Sequence, residues 1–64
     1  MRDISERLFE ACDFCQIQVI SFAVDGNYCI ANTKRGNDFI KLTFGTDSRV
    51  DRLIDYIMQQ ISKL

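Results

Sequence analysis

Hydrophobic and polar positions in the middle of the chain follow the pattern of β-strands. Three segments rich in β-branched and aromatic residues are separated by short turn sequences; they span residues 16–24 (QIQVISFAV), 27–33 and 38–44 (DFIKLTF). Asp25-Gly26 is a strong signal for a type I′ hairpin turn, and Gly36 or Asn37 suits the left-handed position of a second turn. The pattern predicts an antiparallel meander with the second strand in the middle.

Helical periodicity flanks this meander on both sides. Over residues 3–15 the apolar positions repeat at steps of three and four, and Asp3 with Glu6 matches a capping pattern. Near the end of the chain a longer apolar stripe has the same spacing; it comprises Val50, Leu53, Ile54, Ile57, Ile61 and Leu64. Thr46, Asp47 or Ser48 is expected to cap this second helix.

The predicted fold is α+β: one two-layer α-β-β-β-α domain over residues 1–64, with a three-stranded antiparallel meander and both helices on one face. Even-length turns keep cross-strand neighbours on the same side of the sheet. The face toward the helices then collects eight apolar residues: Ile20, Phe22, Val24, Cys29, Ala31, Ile40, Leu42 and Phe44.

The opposite, open face of the predicted sheet has no helix left to cover it. It comprises Ile17, Val19, Ser21, Ala23, Tyr28, Ile30, Asn32, Phe39, Lys41 and Thr43. We expect Tyr28, Ile30 and Phe39 to lie on adjacent strands as a cluster. Scattered apolar residues on a sheet surface are ordinary, but larger patches usually mark interaction sites. The residues predicted to bind a protein partner are Val19, Tyr28, Ile30, Phe39 and Lys41.

Composition narrows the possible functions. The chain has 8 basic and 9 acidic residues and a net charge of -1, which gives no positive field to attract nucleic acid or an anionic membrane. No apolar segment approaches the length of a transmembrane helix, and the N-terminal segment MRDISERLFEACDF is too acidic for a signal peptide. We expect a soluble, cytoplasmic protein without a membrane partner.

The cysteines and the lack of histidine argue against metal and catalytic chemistry. Cys12 and Cys15 have redox or metal spacing, but we expect them at the end of a helix, where the dipole does not lower a thiol pKa. With Cys29 they make three possible zinc ligands, and no histidine exists to supply a fourth. We expect core thiols in a reducing compartment, no cofactor, no metal, no small-molecule substrate and no enzyme activity.

A group of acidic residues rises along the last predicted helix. Asp47, Asp51 and Asp55 stand at steps of four and predict an acidic ridge. Such a ridge is either a solvated helix face with weak neighbouring ion pairs or the edge of a protein interface. We favour the solvated face, because three acids are too few to imitate a row of phosphates.

Basic residues near the sheet aromatics support a second functional hypothesis. Lys34, Arg35 and Lys41 accompany Tyr28 and Phe39 in the sequence. Aromatic side chains on a sheet surface can stack on the bases of a single strand while basic residues contact its phosphates. The alternative function is therefore a single-stranded nucleic-acid-binding module.

The α-β-β-β-α order resembles that of the double-stranded RNA-binding domain, in topology and approximate length. The resemblance implies RNA contacts from the first helix, the first hairpin loop and a lysine-rich start of the second helix. This chain departs from that pattern, because its hairpin loop is only Asp25-Gly26 and its second helix begins TDSRVDRL, with acids in place of lysines. We expect the order of elements to be shared and the activity not.

The main functional prediction is a small non-catalytic protein–protein interaction module that binds through the open face or an edge strand. It would act as a homodimer, or as an inhibitor or adaptor of another protein. Small size without a visible active site is also typical of phage and mobile-element accessory proteins, including anti-CRISPR inhibitors. That comparison is an analogy with a class of proteins.

Overall fold

The computed structural model describes residues 3–64, and it contains the five predicted elements in the predicted order. They are α1 (Ile4–Phe14), β1 (Gln18–Asp25), β2 (Tyr28–Arg35), β3 (Asp38–Gly45) and α2 (Val50–Ser62). The strands form one antiparallel sheet in the order β1-β2-β3. The predicted α+β meander is confirmed.

Glycine closes both hairpins. Gly26 (φ +61°) and Gly36 (φ +63°) each take the first position of a two-residue loop, followed by Asn27 and Asn37. Neither asparagine has a positive φ, so the signs of φ are those of a type II′ turn rather than the predicted type I′. Gly36 occupies the left-handed position as predicted.

The first loop lies one residue later than predicted, at Gly26-Asn27. A loop at Asp25-Gly26 would pair Phe22 with Cys29, whereas in the structure Phe22 pairs with Ala31. This change moves the pairing by two residues along the partner strand. Because side chains alternate with a period of two, Phe22 and Val24 still point to the helix side, as predicted.

A β-bulge reverses the predicted faces at the start of β1. Val19 pairs with Thr33 and Ser21 pairs with Asn32, so Ile20 is an extra residue between two pairs. Val19 consequently packs against the core on the helix side. Its predicted place on the open face is wrong.

The connection between α1 and β1 corrects the placement of Ile17. The Ile17 N–H donates to the Cys12 carbonyl at 3.0 Å, and the Gln16 N–H donates to the Asp13 carbonyl at 3.1 Å. With Gln16 at φ +59°, these bonds form a Schellman motif. The motif turns Ile17 into the core and not onto the open face. A glutamine in the left-handed position gives no recognisable sequence signal.

The core lies between the helices and the part of the sheet formed by β2 and β3. It comprises Ile4, Leu8, Ala11, Cys12, Ile17, Cys29, Ala31, Ile40, Leu42, Phe44, Leu53 and Ile57. Thr33 is buried with them because its hydroxyl donates to the Ile40 carbonyl at 2.7 Å. No residue of β1 is buried. Three predicted core residues are therefore exposed: Ile20, Phe22 and Val24.

The two helices begin differently. Asp3 caps α1 as predicted, and its carboxylate accepts the Glu6 N–H at 3.1 Å. Hydrogen bonds from the Ser5 hydroxyl and the Glu6 N–H lower the pKa of Asp3. In contrast, α2 begins after Arg49 without a side-chain cap.

The predicted capping of α2 by Thr46, Asp47 or Ser48 is thus wrong. The Arg7 guanidinium of α1 instead donates to the Thr46 carbonyl at 2.8 Å and to the Ser48 carbonyl. Charge-assisted hydrogen bonds of this kind are stronger than neutral ones. They hold the loop before α2 against α1.

Candidate functional site

The predicted apolar cluster of the open face is divided between two ends of the sheet. Tyr28 pairs with Gly45, whereas Phe39 pairs with Lys34. Lys34 and Tyr28 are six residues apart on β2, or about 20 Å at the rise of a strand. Tyr28 and Phe39 are 60% and 72% exposed, so both are uncovered as predicted. The expected cluster with Ile30, however, is wrong.

Polar side chains occupy the centre of the open face. The Asn32 Nδ2 group donates to Ser21 Oγ at 3.2 Å, and Lys41 pairs with Asn32 from β3. Ile30 is half-buried beside Ala23 and Thr43. A mixed surface of this kind is typical of the solvated side of an antiparallel sheet.

Two of the basic residues predicted to bind a single-stranded nucleic acid, Lys34 and Lys41, lie beside Phe39 on the open face. The Lys34 ammonium lies 5.7 Å from the centroid of the Phe39 ring, a cation–π contact. Lys41 is two residues from Phe39 along β3 and points to the same face. Arg35 instead lines a cleft with Phe14 on the helix side. Arg35 therefore does not join Lys34 and Lys41 on the open face. Tyr28 lies at the opposite end of that face from Phe39.

The acidic ridge is shorter than predicted. Asp51 and Asp55 lie on the exposed side of α2, while Asp47 lies in the loop before it. Arg49 Nε is 3.9 Å from Asp51 Oδ1, and both side chains are exposed. Exposed ion pairs of this kind contribute about 1 kcal/mol or less. These acids form a solvated helix surface.

The thiols are placed for packing. Burial, with repulsion from Cys15 as a smaller cause, raises the pKa of Cys12 to about 12. Burial also raises the pKa of Cys15 and of Cys29. Within residues 3–64 no group of three or more metal-binding side chains is placed to hold an ion. Protonated thiols are poor nucleophiles, so these three cysteines are unsuited to thiolate chemistry.

A second apolar surface lies on the helix side of β1, where core residues were predicted. Phe22 and Val24 point to the same side as the buried Ala31 and Cys29, yet they are 36% and 52% exposed. The Phe9 ring of α1 meets the Phe22 ring edge to face, with centroids 5.7 Å apart. We call Phe9, Phe22 and Val24 the β1 surface.

Within residues 3–64 no hydrogen bond reaches the outer backbone edge beside this surface. Asp25 and Tyr28 flank the two-residue hairpin loop, so their backbone N–H and C=O groups hydrogen-bond to each other. Since bonding alternates along an antiparallel pair, the N–H and C=O groups of Phe22 and Val24 point away from β2. Between Gln18 and Asp25 the strand has no charged residue to discourage pairing with another strand.

A groove of about 380 Å³ separates the exposed side of α1 from the start of β1. Its lining consists of Phe9, Glu10, Cys12, Asp13, Ile17 and Val19. Cys12 and Ile17 are buried, whereas Glu10 and Asp13 are exposed. The groove therefore has an apolar floor and an acidic rim. Sequence patterning missed it because Ile17 and Val19 were predicted on the other face.

Comparison of the chain with protein-family models, with curated proteins and with solved structures gives no match. Among the helices in the described part of the chain, none is both long and apolar enough to cross a membrane.

Proposed function

We propose that the protein is a small non-catalytic protein–protein interaction module that binds a strand of its partner at the edge of β1. The supporting observation is the coincidence of two features: edge-facing backbone groups at Phe22 and Val24, and exposed apolar side chains on the same residues. An added strand would bond to the backbone and cover the β1 surface at once. The polar centre of the open face offers no comparable combination.

Charge distribution favours another protein over a second copy. Residues 1–25, which include α1 and β1, contain five acidic and two basic residues, whereas residues 26–64 contain four acidic and six basic residues. Pairing β1 with β1 would bring two acidic regions together, and like charges across an interface are unfavourable. The inhibitor or adaptor form of the hypothesis is therefore preferred to the homodimer. A role as an anti-CRISPR inhibitor stays a prediction, since no observation identifies a target.

Val24→Lys and Ala23→Lys provide a matched pair of variants. Both add one charge to β1, but Val24 lies at the open edge on the helix side, while Ala23 pairs with Ile30 on the open face. Partners are captured from the native host with each variant as bait. We expect Val24→Lys to lose a partner that Ala23→Lys retains.

Hydrogen exchange then identifies the contact in the purified complex. The supporting result is slower exchange of the Phe22 and Val24 amides when the captured protein is added. Loss of the partner by Ala23→Lys alone would assign binding to the open face and overturn the proposal. Sedimentation at several concentrations tests the second copy; a dimer that Val24→Lys dissociates would overturn the preference for a foreign partner.

A single-stranded nucleic-acid-binding module is the second candidate. It is supported by Phe39, which stands exposed between Lys34 and Lys41 on the open face. A fluorescent oligonucleotide is titrated at low and moderate salt, with Phe14→Ala as the control for another exposed aromatic residue. Salt-sensitive binding that only Phe39→Ala abolishes would support this candidate. Binding that Phe39→Ala leaves unchanged would exclude it.

A further inference from the structure

We infer that the strand bound at β1 carries a lysine or arginine side chain in the groove between α1 and β1, next to two apolar residues. This inference rests on the proposed function and specifies the chemistry of the partner. It is carried by the charge of the groove, by its apolar floor and by the spacing of side chains along a strand.

The groove lies beside the negative end of a helix. Asp13 is in the last turn of α1, is exposed, and lines the groove with Glu10. The C-terminal end of a helix carries a partial negative charge, and the last turn of α1 contains no basic residue. A cationic side chain in the groove would therefore meet both the helix end and the Asp13 carboxylate.

The floor of the groove suits the aliphatic part of such a side chain. Cys12 and Ile17 are buried beneath it, and Val19 is half-buried at its margin. Lysine and arginine commonly lay their methylene stems on apolar surface while the charged group reaches solvent or a carboxylate. An acidic residue in the same position would face Asp13 and the helix end unfavourably.

Strand geometry sets the spacing of the recognised side chains. Alternate residues of an added strand point to the same side. Two of them would lie beside Val24 and Phe22. On β2 the partners of Phe22 and Val19 are only two residues apart, because the bulge at Ile20 takes up the extra residue of β1, so on a regular added strand the next side chain would lie beside Val19 at the groove. The partner segment is therefore extended, with the pattern apolar-x-apolar-x-basic when read toward the groove. In antiparallel and parallel docking this pattern runs in opposite directions along the partner's sequence.

A short peptide tests this chemistry directly. The fluorescein-labelled peptide KTVTVTK reads the same in both directions, so it serves either orientation of docking; ETVTVTE reverses its charge, and KTSTSTK removes its apolar residues. We expect KTVTVTK to bind at least about tenfold more tightly than the other two, a difference of about 1.4 kcal/mol. Its affinity should fall as salt is added.

Variants of the protein assign the contact to the groove. Asp13→Asn should weaken KTVTVTK several-fold, and removal of an acid from the last turn does not weaken α1. Asp55→Asn, at an exposed acid of α2, is the matched control and should change nothing. Val24→Pro removes an edge-facing N–H that β2 does not use, so it should abolish binding without breaking the sheet.

The possible failures are distinguishable. Equal binding of KTVTVTK and ETVTVTE, with loss on Val24→Pro, would overturn the cationic preference and keep strand binding at β1. If neither peptide binds while a captured protein still slows exchange of the Phe22 and Val24 amides, the cationic preference is likewise overturned and strand binding at β1 is kept. If no captured protein protects those amides, the proposed function itself is wrong, and this inference with it.

Discussion

The two edges of the sheet differ although their sequences have similar alternation. On β3 the helix-side residues Ile40, Leu42 and Phe44 are buried. On β1 the corresponding Phe22 and Val24 remain partly exposed. A strand can thus carry the pattern of a buried face and still be left uncovered, because burial depends on which strands the helices lie over.

The edges also differ in their backbone. On β3 the Thr43 N–H, which points away from β2, donates to the Tyr56 hydroxyl of α2 at 3.1 Å. Lys41 adds a charge to the same edge strand, a common protection against pairing with other chains. β1 has only the bulge at Ile20. The β3 edge is therefore partly closed by α2, whereas no such bond reaches the β1 edge within residues 3–64.

The largest expected effect comes from replacing one helix-side residue on each edge strand with alanine. Leu42 is fully buried, so Leu42→Ala should lower the free energy of unfolding by about 2–5 kcal/mol. Val24 is 52% exposed, so Val24→Ala deletes only partly buried methyl groups and should cost about 1 kcal/mol or less. Urea unfolding measures both. Equal losses would mean that β1 belongs to the core in solution, and the comparison of the edges would be wrong.

The next largest effect tests whether the Cys12 thiol, at the floor of the groove beside β1, is shielded from solvent. The pKa of Cys12 is raised from 9.0 to about 12, so between these values the unfolded chain loses a proton that the folded chain keeps. Stability is then full below about pH 9 and falls as pH rises toward 12. Each unit of pKa shift corresponds to about 1.4 kcal/mol.

Urea unfolding across this alkaline range measures the effect, and Cys12→Ala is the comparison, because it removes the titrating group. We expect a shallower loss of stability in Cys12→Ala than in the natural sequence. Parallel losses in the two proteins would show that solvent reaches the Cys12 thiol through the groove.

The smallest effect concerns the closed edge. Tyr56→Phe removes the hydroxyl that accepts the Thr43 N–H and should cost about 1 kcal/mol. Hydrogen exchange of the Thr43 amide should become faster, while the exposed Tyr28→Phe serves as the control. An unchanged exchange rate in Tyr56→Phe would show that Tyr56 does not protect this edge.

Local sequence signals predicted the framework of the fold but not the candidate site. The capping of α1 by Asp3, the left-handed Gly36 and the burial of Leu42 all follow from short patterns. Phe22 and Val24 of the β1 surface were predicted only as core residues, and the groove was not predicted at all. The groove depends on the bulge at Ile20 and on the left-handed Gln16, for which the sequence contains no local signal. The exposure of the β1 surface depends instead on where the helices lie over the sheet.

The amino-acid sequence by itself determined the order of elements and the helix-facing sides of β2 and β3, because periods of two and of three to four residues are local properties of the chain. Only the tertiary structure decided which edge is closed. That outcome depends on the lateral position of the helices: Tyr56 reaches the β3 edge, whereas Phe9 covers β1 only in part. The proposed binding edge is the part of the sheet that the helices leave open.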